Sequence, residues 1–197
     1  MSRHIRIVSA CVVAVTLGLG SQQRASASQS VDPGSLNPPP FGMHLTCQAT
    51  GGGVICNSTS VMSGPVDYGS CGTFDILALV NEKDNFTFRY DASGNLIQFR
   101  VHTERHAALS NSVTGTQGVE TINYTFTLDL STLGDFNTAT VTFAGQIGKF
   151  TVQGSGLGNH DVGLQIFQSN GDVIIHGPHD SFYGADIFAD QCAALAV

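Results

Sequence analysis

Residues 121–130 read Thr-Ile-Asn-Tyr-Thr-Phe-Thr-Leu-Asp-Leu. Ile122, Tyr124, Phe126, Leu128 and Leu130 share one side of an extended chain. Thr121, Asn123, Thr125, Thr127 and Asp129 share the other. Side chains in a strand alternate between two faces, so this run predicts a strand with one buried and one wet side. No helix accommodates a period of two over ten residues.

The surroundings extend that reading. Asp91-Ala-Ser-Gly94 predicts a four-residue hairpin loop that sets Phe88 against Ile97 and Phe86 against Phe99. That puts Phe99 and Val101 inward, and His102 and Glu104 outward. Asn170-Gly171 predicts a two-residue hairpin turn. Such a turn puts Val162, Leu164, Ile166, Val173 and Ile175 on one apolar face. Further strands are expected at 73–80, 138–145 and 148–153. Near the end, Ile187, Phe188, Gln191, Cys192 and Leu195 recur at helical spacing, and Asp180 or Ser181 is placed to cap that helix. The expected class is all-β: a single antiparallel barrel of about eight strands with a short C-terminal helix, with a two-sheet sandwich as the alternative.

Residues 1–27 have a basic start (Arg3, Arg6), an uncharged apolar run over 7–20, and the Ala25-Ser26-Ala27 pattern of a cleavage site. That order is a secretory signal, and its core is too short to cross a bilayer, which takes roughly 20 apolar residues. Removing 27 of 197 residues leaves 170, the size of one domain. Three of the eight basic residues lie in the leader, leaving five against fifteen acids, a net charge of −10. Such a surface neither drives nucleic-acid binding by counterion release nor adheres to anionic lipid. Residues 28–42, with Pro38-Pro39-Pro40, read as a disordered linker. Residues 43–197 make up the β domain.

Cys47, Cys56, Cys71 and Cys192 remain after the leader, an even number in an exported chain. Four cysteines allow three pairings. Cys47–Cys56 is favoured because Thr50-Gly-Gly-Gly53 can turn the chain back between them. Cys71–Cys192 then staples the C-terminal helix to the sheet. No CxxC spacing points to zinc.

No nucleophile motif, phosphate loop or dinucleotide fingerprint is present, and no cofactor is implied. Gly154-Ser-Gly-Leu-Gly158 reads as a flexible loop between strands. Histidines supply the candidates. His102, Glu104 and His106 share one strand face, with neighbours about 6.5–7 Å apart. His102 and Glu104 are therefore the candidate metal pair, against the reading of a solvated face. In the register expected at Asn170-Gly171, His160 and His179 extend the apolar face to the open end of the hairpin. Asp161 and Asp180 stand on the other face. Two imidazoles beside carboxylates at a barrel mouth can bind a ligand or move a proton. The competing reading is a turn, His176-Gly-Pro-His-Asp180, whose histidines bond the backbone. Asn57, Asn85 and Asn123 each begin a glycosylation sequon.

The segments Leu109-Ser-Asn-Ser-Val-Thr-Gly115, His160-Asp-Val-Gly163, Gly171-Asp-Val173, Gly177-Pro-His-Asp180 and Cys192-Ala-Ala-Leu195 carry a resemblance. Over roughly residues 71–197 the chain resembles small secreted bacterial β-proteins with no assigned activity. In outline it is similar to the eight-stranded barrels of allene oxide cyclases and dirigent proteins. Phe143-Ala-Gly-Gln-Ile-Gly-Lys-Phe150 looks like a glycine-bearing strand of that group, and no catalytic residue carries over. Lipocalins are similar in outline too, but their Gly-x-Trp start is impossible in a chain with no Trp.

Three functions are compatible with these residues. The first is a non-catalytic exported domain that binds a small apolar ligand or a surface partner. The second is an isomerase or cyclase using His160 and His179. The third is a structural or interaction protein of the cell envelope.

Overall fold

The computed structural model describes residues 29–154, 156–179 and 186–196. The expected leader, Asp180 and Ser181 lie outside them. The chain forms one antiparallel sheet of eight strands in sequence order: β1 Met43–Thr50, β2 Gly53–Ser70, β3 Asp75–Tyr90, β4 Leu96–Asn111, β5 Gln117–Leu130, β6 Ala139–Val152, β7 Gly156–Phe167 and β8 Val173–His176. Helix α1, Ile187–Leu195, follows. The strands form one sheet, not two, so the sandwich alternative falls. β1 and β8 are the two edges of the sheet and do not pair with each other.

The sheet is nevertheless strongly rolled. In a flat sheet β2 and β5, three strand spacings apart, would lie about 14 Å from each other. Yet Tyr68 of β2 donates from its hydroxyl to Glu120 Oε1 of β5 at 2.6 Å. Ile76, Ala78 and Val80 of β3 likewise share one buried cluster with Phe150 and Val152 of β6 and Leu195 of α1. The inner face is therefore concave. α1 covers one end of it, held by the Cys71–Cys192 disulfide. The second disulfide is Cys47–Cys56, across the β1–β2 hairpin.

The segment expected as a free linker covers the other end. Val31 donates its N–H to the Cys47 carbonyl, and Asn37 exchanges backbone hydrogen bonds with Gly94 and Leu96. Leu36 is buried in the second core cluster with Phe88, Tyr90 and Leu96. Tyr90 donates its hydroxyl to the Pro38 carbonyl at 2.9 Å. A Pro-rich stretch loses little entropy on docking, and here its apolar residues have an open sheet end to cover.

Local corrections follow the turns. At the Asp91 hairpin the pairs are Phe88↔Phe99 and Phe86↔Val101. The register is two residues from the expected one: Tyr90 pairs with Leu96, so the loop held by Asp91 Oδ1, which accepts from the N–H groups of Ser93 and Asn95, is one residue longer, and an irregularity between Arg89 and Tyr90 adds the second. A shift of two preserves the faces, so His102 and Glu104 do stand outside. Residues 138–145 and 148–153 belong to one strand, β6, with an irregularity between Gln146 and Gly148. Part of the expected loop at Gly154–Gly158 is already β7. The N-cap of α1 is Asp186, whose Oδ1 accepts from Ala189 N–H at 3.0 Å.

Candidate functional site

The inner face is layered along the strands. Opposed residues define rows that cross the sheet. Toward α1 the rows are aliphatic: Ile76, Ala78, Val80, Ala107 and Leu109. Toward the N-terminal segment they are aromatic. Phe86, Phe99, Phe126, Phe143 and Phe167 come from five consecutive strands, β3 to β7. Successive ring centroids are 6.1, 6.1, 5.2 and 6.2 Å apart. Phe41 of the N-terminal segment lies on this run, 5.3 Å from Phe86 and 5.7 Å from Phe99. The five sheet rings are only half-buried. A filled core would bury them completely.

Between these layers runs a polar belt. Glu120 Oε1 accepts from Tyr68 and, at 3.1 Å, from Gln191 Nε2 of α1. Arg105 Nε lies 3.5 Å from Glu120 Oε2 and 3.7 Å from Glu82 Oε2. Its guanidinium sits 5.5 Å from the centre of the Tyr68 ring, a cation–π distance. Burial, then the hydrogen bond to Glu120 and its charge, push the Tyr68 phenol up to about 12. Burial and the neighbouring Asp84 raise the Glu82 carboxyl above its usual range.

Across the belt stands a second buried pair. His179 Nδ1 lies 2.5 Å from Asp161 Oδ1 and 2.8 Å from Gln165 Nε2. His179 Nε2 lies 3.2 Å from the His176 carbonyl oxygen. The His179 side chain is 0% exposed and that of Asp161 1%. This arrangement overturns the expected register of the last hairpin. Phe167 pairs with Val173 and Leu164 with His176, one residue away from the two-residue turn at Asn170-Gly171. Gln168 and Asp172 close a longer loop, and Asn170 Oδ1 accepts from Asp172 N–H. A one-residue slip reverses every face. Asp161 therefore faces His179 across the isolated bridge between them. His160, adjacent in the strand, points to the other side, opposite Lys149 of β6. Val173 and Ile175 leave the face of Val162, Leu164 and Ile166. The predicted pair His160 and His179 is not brought together; Asp161 and His179 are. Asp180 lies outside the described residues.

Gly163 is what lets the chain close here. It has φ +132°, and a Cβ would sit 2.0 Å from the His176 carbonyl oxygen and 3.0 Å from His179 Nε2. On the outer face of the sheet, His102 Nε2 lies 3.3 Å from Glu104 Oε1, and its Nδ1 lies 3.2 Å from Thr125 Oγ1. Among the described residues no group of three or more His, Cys, Asp or Glu is placed to hold a metal. No local pattern marks Tyr68, Arg105, Glu120 and Gln191, since they converge only when the sheet rolls.

Comparison with protein-family profiles, with curated proteins and with solved structures finds no match for the chain. Among the described residues no helix is long and apolar enough to cross a membrane.

Proposed function

We propose that the chain is an exported β domain whose sheet acts as an incompletely closed barrel and binds a small apolar, ring-sized molecule on its inner face without chemical change. The half-buried row of five phenylalanines carries this reading. Offset and edge-on aromatic surfaces give large contact area with few rotamers to freeze. The belt beside the row adds a few fixed polar groups, the composition of a small-molecule site. The leader ending at Ala27 and the two disulfides support an oxidising compartment outside the cytoplasm. The isomerase reading draws less support, since His160 and His179 stand on opposite sides of β7.

The test uses N-phenyl-1-naphthylamine, a neutral apolar dye whose fluorescence rises on leaving water. The protein binds it, and Phe126→Ala and Phe143→Ala each weaken binding at least fivefold with the fold retained by circular dichroism. No binding, or binding unchanged in both variants, rejects the proposal.

A further inference from the structure

The outer face carries a second apolar surface. Leu77, Leu79 and Val119 are 53%, 59% and 43% exposed. They flank a groove of about 970 Å³ at the α1 end of the sheet. One register row explains its shape. Pro65, Leu79, Ala108, Val119 and Thr151 stand opposite one another from β2 to β6. Ala108 is the small residue between Leu79 and Val119, so the row dips at β4. Five adjacent strands span about 19 Å, room for an extended aliphatic chain.

The charge of the groove is one-sided. Asp67 stands opposite Leu77 in register, and Asp75 lies two residues before Leu77 on the same strand face. Both line the groove, and no Lys, Arg or His does. The net charge of −10 left after the leader repels a second copy and any anionic surface.

We propose that this groove binds a small amphiphilic cation, an aliphatic chain lying along the apolar row with an ammonium end at Asp67 and Asp75. Non-directional burial holds the chain, and the carboxylates select the sign of the head group. This site is separate from the aromatic inner face, and the proposal does not depend on it.

Calorimetric titration with submicellar dodecyltrimethylammonium, dodecyl sulfate and dodecyl maltoside tests it, on the protein purified from its own host. The cation binds at least tenfold tighter than the other two. Asp67→Asn with Asp75→Asn reduces cation affinity fivefold or more and leaves maltoside binding within twofold. Leu77→Ser and Leu79→Ser, at exposed positions that leave the fold intact, weaken the cation at least fivefold. Phe126→Ala leaves it within twofold. Equal binding of sulfate or maltoside, an unchanged cation affinity in the leucine variants, or its loss in Phe126→Ala overturns the proposal.

Discussion

Asp161→Ala separates a buried clamp from an accessible site. The substitution leaves His179, fully buried, facing Gln165 where it faced a carboxylate. Removing one partner of a buried hydrogen bond typically costs about 1–3 kcal/mol, because the other is left buried and unsatisfied. For a domain of this size each kcal/mol lowers the melting temperature by about 2–4 °C, so a loss of roughly 2–12 °C is expected. Asp161→Asn keeps shape and an acceptor and should lose less than Asp161→Ala, because the His179 ring nitrogen keeps a partner. The double variant with His179→Ala removes both partners. It should be less destabilised than the sum of the single changes, with a coupling of at least about 1 kcal/mol. Thermal unfolding by calorimetry, with the disulfides intact, reads the wild type, Asp161→Ala, Asp161→Asn, His179→Ala and the double variant. A loss below about 1 kcal/mol for Asp161→Ala is the value of an exposed pair. It would refute the clamp and return His179 to the list of accessible groups.

Three further outcomes are expected. Burial holds the Tyr68 and Tyr90 phenols near 12 where the ordinary value is 10, so folding binds extra protons between those values. Stability is complete below pH 10 and falls as pH rises through that window, and phenolate absorbance near 295 nm shows the delayed ionisation, which Tyr68→Phe halves. Gly118→Ala puts a Cβ 2.5 Å from Phe150 Cε2, against a ring that is 0% exposed. Overpacking of this kind costs about 1–3 kcal/mol in denaturant unfolding, and a neutral result would show that Phe150 has room to move. Replacing Cys71 and Cys192 with Ser removes a bridge between residues 121 apart and should cost about 4–5 kcal/mol, against about 2.5 for Cys47 and Cys56, which are 9 apart. The reverse order would mean that the long bridge is not limiting the unfolded chain.

The strands were legible where one signal dominated. Residues 121–130 alternate without exception, and their apolar side is the inner face of β5. The Asp91 hairpin was misread by two residues and kept its faces, since parity is what burial reads. The last hairpin was misread by one, and every side chain changed sides. Its turn residues support both loops, and only the pairing of His179 with Asp161 and Gln165, 18 and 14 residues away, distinguishes them. Residues 28–42 look like a tether by composition. Their docking depends on Asn37 meeting Gly94 and Leu96, which no local pattern encodes. The polar belt was invisible for the same reason: Tyr68 and Glu120 are 52 residues apart.

The Cys71–Cys192 bridge has a consequence for how this molecule can be cut. It converts β3 through α1 into a covalent ring whose only other closure is the chain itself. A protease that severs one of the connections between these strands, such as the one around Thr114 or the one around Gly134, produces two chain ends but no free fragment. The sheet keeps its hydrogen-bonded neighbours on both sides of the nick, and reduction is required before the pieces part. Of the two edges left open by hydrogen bonding, β8 lies within that ring and β1 outside it.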